Sequence, residues 1–103
     1  MPAMMGRMRR VHVIVSGAVQ GVGYRYTLRL VADDAGVTGW VRNRRDGTVE
    51  AEIQGTAEQV DAVLAWMAEG PPGALVASAH VADARVLKPT APETVGFQVH
   101  PTV

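Results

Sequence analysis

The stretch that most constrains this chain is Ser16-Gly17-Ala18-Val19-Gln20-Gly21-Val22-Gly23-Tyr24-Arg25, where an alternating pattern gives way to a helical one. Before it, Val11, Val13 and Val15 alternate with His12, Ile14 and Ser16, the period of a strand that buries one face. After it, Tyr24, Leu28, Val31, Ala32 and Ala35 recur at helical spacing, and Gly36 stands where a helix C-terminal glycine belongs. The intervening glycines let the backbone turn tightly with its N–H groups inward, and a helix starting near Gly23 adds unpaired amides and the positive end of a dipole. Such a nest favours an anion, and Arg25 in the first turn adds a planar, permanently charged fork that matches two phosphate oxygens. The loop has neither the Gly-Lys-Ser/Thr of a nucleotide P-loop nor the Gly-x-Gly-x-x-Gly spacing of a dinucleotide fold. A plain turn followed by a solvent-facing arginine is the alternative reading of the same residues.

The remaining elements follow from periodicity. Val37 to Arg44 reads as a second strand and Arg45-Asp46-Gly47 as a tight hairpin turn. Thr48 to Gln54 reads as a third strand, with Val49, Ala51 and Ile53 inward and Thr48, Glu50, Glu52 and Gln54 facing water. Thr56 and Gln59 have capping-box spacing, and Val60, Val63, Leu64 and Met67 predict a second helix to about Glu69, with Trp66 off the stripe and partly exposed. Gly70-Pro71-Pro72-Gly73 ends it, since neither proline can continue a helix. A fourth strand around Ser78 to Leu87 has the weakest signal, because alanines at Ala77, Ala79, Ala82 and Ala84 give little contrast between its faces. Val95, Phe97 and Val99 make a short last strand. This order predicts an α+β fold, a ferredoxin-like βαββαβ sandwich whose antiparallel sheet carries two helices on one face. Lys88-Pro89-Thr90-Ala91-Pro92 and the Gly-Pro segment are too short to divide domains, so residues 9–103 read as a single domain. Met1 to Met8 reads as a flexible tail, too short and too weakly apolar for a signal peptide.

This fold class hosts enzymes, metal carriers and RNA-binding modules alike, so composition has to narrow the choice. Ten basic and ten acidic side chains cancel, and the chain has one phenylalanine and two tyrosines. Single-strand RNA binding on the sheet would need exposed aromatics and a basic face, so nucleic acid is not expected as a partner. Nothing advertises a membrane surface, and no stretch is long enough to span a bilayer. Without cysteine there is no thiol nucleophile and no thiolate metal site. A cytoplasmic protein is expected, and, with no extended apolar seam left after the core is assigned, a monomer.

A second segment sharpens the reading: Gly39-Trp40-Val41-Arg42-Asn43, followed by Asp46, Gly47 and Val49 and closed by Gly55. With Gly17, Val19, Gln20, Gly21, Val22, Tyr24 and Arg25 it resembles the paired signatures of the acylphosphatase family, and the resemblance spans about residues 9 to 100. It implies hydrolysis of a small-molecule acyl phosphate to a carboxylate and inorganic phosphate, the latter as product or inhibitor. By that analogy Arg25 and Asn43 are the catalytic residues. Val19, Gln20, Gly21, Val22, Gly23 and Tyr24 form the phosphate-binding loop, and Asn43 orients the attacking water. Tyr24 replaces the family's commoner phenylalanine and is expected to leave a hydroxyl near the anion. No metal or other cofactor is expected, because no close pair of carboxylates lies near the loop and the histidines do not cluster.

Each of these residues has a plainer reading. Asn43 precedes a turn, where asparagine often bonds locally to backbone. Arg42, Arg44 and Arg45 with Asp46 make either a solvated hairpin or a patch that draws anionic substrates. His12, His80 and His100 are scattered over three strands and read as surface or satisfied sheet residues, and Trp40 reads as packing. A non-catalytic phosphate-binding module, such as the acylphosphatase-like domain of carbamoyl-transfer maturation proteins, is the competing function.

Overall fold

In the computed structural model, which describes residues 8–87 and 96–103, β1 runs over Met8–Ala18 and buries Val11, Val13 and Val15, the alternating set its sequence predicts. Met8 is thus the first residue of β1, and the rest of the expected tail lies outside the described residues. The chain continues through α1 (Tyr24–Ala35), β2 (Thr38–Asn43), β3 (Val49–Thr56), α2 (Ala57–Glu69), β4 (Leu75–Leu87) and β5 (Phe97–Val99). β4 starts three residues before the predicted Ser78, where Leu75 and Val76 pair with Ala18 and Gly17. Val95 and the Lys88–Pro92 segment lie outside the described residues.

The strands form one sheet in the order β4-β1-β3-β2-β5. The first four are antiparallel throughout, and β5 joins the free edge of β2 in parallel, so the five-stranded sheet is mixed. β3 is the middle strand. Its Val49, Ala51 and Ile53 join Val11, Val13, Val15 and Val41 on the face that meets Tyr24, Leu28 and Ala32 of α1 and Val60, Val63 and Met67 of α2. Burying a valine- or leucine-sized side chain contributes about 1.5–3 kcal/mol, so this single layer accounts for most of the apolar stabilisation. Trp66 is half-buried, its ring 5.2 Å from that of Tyr24.

The end of α1 and the start of α2 fall where the sequence predicts them. Gly36 closes α1 in the left-handed conformation, and Thr56 and Gln59 form a reciprocal capping box at the start of α2.

One expectation fails on the open face of the sheet. Glu50 and Gln54 do not face water but are buried, at 5% and 8% exposure. Period-two alternation correctly turns them away from the helices, but β3 has a neighbour on each side, and side chains of β1 and of the β2 arm close over Glu50. Glu50 Oε1 accepts from Arg42 Nε at 2.8 Å and from Arg44 at 3.4 Å, while His12 Nε2 sits 2.7 Å from Oε2.

Candidate functional site

α1 begins at Gly23, whose φ of 78° and ψ of 19° are left-handed, and Gly21 shares that φ. Residues with a side chain rarely tolerate this region, which explains the glycines at these two positions. No side chain caps the helix. Its first amides have no intrahelical partner, so donors and the positive dipole end are presented at the loop.

Gly23, Tyr24 and Arg25 at this helix start line a cavity of about 350 Å³. The structure brings Val19, Gly21, Gly23, Tyr24, Arg25 and Asn43 together around it. Arg25 is half-buried, in the first turn of α1, and makes no ion pair among the described residues. Asn43 is the last residue of β2. Alternation puts it on the same face as buried Val41, toward α1, while Trp40 and Arg42 point to the opposite face. Its Oδ1 is buried and has no hydrogen-bond partner, so the local turn bonding that would make Asn43 a purely structural residue does not engage this atom.

Two residues of the predicted loop do not line the cavity. Val22 packs against the core. Gln20 extends its side chain to the β2–β3 hairpin, where Nε2 donates to the carbonyls of Arg44 (2.7 Å) and Thr48 (2.9 Å). The expected Tyr24 hydroxyl near the anion is also corrected. The ring is 2% exposed, and its hydroxyl donates to the Met67 carbonyl on α2 at 2.7 Å, with burial pushing its ionisation well above the ordinary tyrosine range. Tyr24 therefore borders the cavity while its polar tip serves the interface between the helices.

The cavity wall also includes Tyr26, Arg29 and Val99. Arg29 follows Arg25 by one helical turn, a spacing that could have placed it. Tyr26 carries no such signal, and Val99 arrives through the parallel pairing of β5 with β2, which local patterning does not encode. The segment after β5 was missed as well. The His100 amide donates to Val41 O, the Val103 amide to Asn43 O, and the Arg45 amide to Val103 O, so this segment holds the backbone around Asn43.

The hairpin cations are largely engaged. Arg42 lies over Trp40 at 4.8 Å as well as on Glu50, and Arg44 is 3.8 Å from Asp46. Asp46 accepts from the Thr48 amide and hydroxyl, which hold its carboxyl below the usual range. Trp40 is packed, stacked on His100 at 5.4 Å. His12 is satisfied by Glu50, and His80 is exposed on β4. Among the described residues no group of three or more His, Asp or Glu side chains is arranged to hold a metal ion, and no helix is long and apolar enough to cross a membrane.

Residues 11–99 match the acylphosphatase family profile. An acylphosphatase from Bordetella parapertussis is 61% identical over 69 residues, covering 67% of this chain and 73% of the relative. One from Methylococcus capsulatus is 52% identical over 79 residues, covering 77% and 86%. The crystal structure of acylphosphatase from Bacillus subtilis superimposes with a TM-score of 0.80 at 29% identity, covering 89% of this chain and 98% of that one.

Proposed function

The chain belongs to the acylphosphatase family, and from that membership we propose a mechanism in which Arg25 and the loop amides bind the phosphoryl group of an acyl phosphate while Asn43 delivers the water that cleaves it. The enzyme hydrolyses acyl phosphates, and in the proposed mechanism the bond that breaks joins phosphorus to the acyl oxygen. A water O–P bond forms as that bond breaks, the carboxylate leaves with the bonding pair, and the water's proton passes to a phosphoryl oxygen. The leaving group is good, so positioning and charge stabilisation suffice and no protein nucleophile is needed. The amides from Val19 to Tyr24 and the Arg25 guanidinium neutralise charge on the phosphoryl oxygens. Asn43 Oδ1 accepts a hydrogen from the attacking water, and its amide NH₂ donates to a phosphoryl oxygen. The observation that carries this reading is that Asn43, Arg25 and the uncapped start of α1 border one cavity, with Asn43 Oδ1 left without a hydrogen-bond partner. Inorganic phosphate, which shares these contacts, is both product and competitive inhibitor. Zero net charge and the engaged hairpin arginines accord with a cytoplasmic monomer that binds neither nucleic acid nor membrane.

Hydrolysis of benzoyl phosphate in the presence of EDTA tests it. Turnover by the wild-type chain is expected to persist with chelator. Asn43→Ala should lower kcat by about 10²- to 10³-fold, roughly 3–4 kcal/mol, and Arg25→Gln by more, with both variants folded by circular dichroism. A folded wild-type chain without turnover would leave a phosphate-binding module.

A further inference from the structure

We infer that Gln20 is a positioning residue for the hydrolytic step, and that its side chain, not only its amide, sets the distance between the phosphate loop and the water-orienting Asn43. The inference rests on the catalytic reading above and goes beyond it, because that reading assigns Gln20 no side-chain role.

The two halves of the site come from separate parts of the chain. The phosphate loop and Arg25 follow β1, whereas Asn43 ends β2, and between β1 and β2 in the sheet lies β3. Nothing in the strand ladders therefore fixes the loop directly against Asn43. Gln20 makes that connection. The last β2–β3 pair is Asn43 with Val49, and the carbonyls that Gln20 binds belong to Arg44, immediately after Asn43, and Thr48, immediately before Val49. Both hydrogens of its NH₂ are used, one for each arm of the hairpin.

The chemistry of those carbonyls makes the grip selective. Arg44 O already accepts from the Gly47 amide at 3.1 Å, and Thr48 O from the Arg44 amide at 2.9 Å. Each carbonyl offers a second lone pair, and Gln20 fills both. A donor-only NH₂ at the end of a two-methylene stem meets this requirement. Asparagine at position 20 would stop one methylene short, and glutamate would turn carboxylate oxygens toward two carbonyl oxygens. The Val103 amide holds Asn43 O at 3.1 Å from the other side, so Asn43 sits between two anchors, of which Gln20 alone belongs to the phosphate loop.

Such a residue acts on rate more than on anion affinity. Phosphate is held by the loop amides and Arg25, whereas attack requires the water on Asn43 to lie in line with the leaving oxygen, a geometry that a shift of about 1 Å can degrade by up to 10²-fold. Gln20→Met keeps the side chain's length and bulk and removes only the donors. The expected result with benzoyl phosphate is a fall in kcat of about 10- to 100-fold, with the phosphate inhibition constant changed by less than about threefold. In the Asn43→Ala background the same substitution should change kcat by less than about twofold, since residues that act as a unit are not additive. Equal losses in kcat and phosphate affinity would overturn the inference by assigning Gln20 to the loop's own shape. Additive losses in the double variant, or an unchanged kcat, would overturn it too. Gln20→Glu, which keeps the stem, serves as a second variant should Gln20→Met not fold. Failure of the catalytic reading itself is separately visible, because the wild-type chain would then show no turnover.

Discussion

At the scale of single residues, Tyr24 shows how one position can serve two surfaces. Its backbone starts α1 at the edge of the cavity, yet its hydroxyl reaches away from that cavity to Met67 O. Phenylalanine fits the same ring volume without that bond. Tyr24→Phe is therefore expected to lower the free energy of unfolding by about 1 kcal/mol, the net worth of a buried neutral hydrogen bond, measured by urea denaturation. A loss of kcat larger than the loss of folded protein would instead return the hydroxyl to the phosphate. Sequence reasoning sends the hydroxyl toward the anion, and the structure turns it to Met67. The helical spacing places Tyr24 on the buried stripe, but the Met67 carbonyl lies on the other helix and becomes a neighbour only when α1 and α2 pack. The glycine loop singles out Arg25 by local pattern, whereas Asn43 stands out only through the resemblance of Gly39–Asn43 to the family's second motif, since a strand–turn boundary by itself favours local backbone bonding. The Gln20 side chain was not legible, since its partners are two carbonyls of a distant hairpin and any residue supplies a carbonyl.

At the scale of elements, legibility follows contrast and locality. α1 and α2 are legible from their apolar stripes and from Gly36 and the Thr56–Gln59 box. β4 is blurred by alanines that look alike on both faces, and β5 pairs with β2 across more than half the chain, so its parallel register has no local trace. Burial of Glu50 was missed for a related reason: alternation gives the face of a strand, while exposure on that face depends on strand order. The middle position of β3 places Glu50 among Arg42, Arg44 and His12. Burial raises its carboxyl pKa, but the hydrogen bond and charge of Arg42, together with His12, outweigh that and hold it below the ordinary 4.5. A carboxyl whose folded value is depressed binds fewer protons folded than unfolded. Its contribution is thus present above the ordinary glutamate range and lost as pH falls through the folded value. Glu50→Gln is expected to cost about 1–3 kcal/mol at neutral pH, the worth of hydrogen bonds to a charged group. It should also flatten the loss of stability below about pH 5, followed by denaturant unfolding across a pH series. An acid limb as steep as that of the wild type would shift the effect to other carboxylates.

At the scale of the whole molecule, the site is assembled from the loop after β1, the start of α1, the end of β2 and Val99 of β5, so an anion bound there would join parts far apart in the chain. Binding to the folded state alone stabilises it by RT ln(1 + [L]/Kd), about 2.7 kcal/mol at a hundredfold excess over Kd. In a domain of this size each kcal/mol moves Tm by about 4–8 °C, so inorganic phosphate should raise Tm by on the order of 10 °C or more at that excess. The comparison is made against chloride at equal ionic strength. Arg25→Gln should lose the shift, because the remaining amides bind without the guanidinium. The cooperative assembly makes a second demand on the same experiment. Trp40 lies on the open face of the sheet and Trp66 on α2, so fluorescence samples both sides of the molecule while far-ultraviolet circular dichroism follows the backbone. With and without phosphate the two signals should move as a single transition. If phosphate instead splits them, with one rising in Tm and the other fixed, then the loop and α1 bind the anion as a unit separate from the hairpin, and the clamp through Gln20 does not join them.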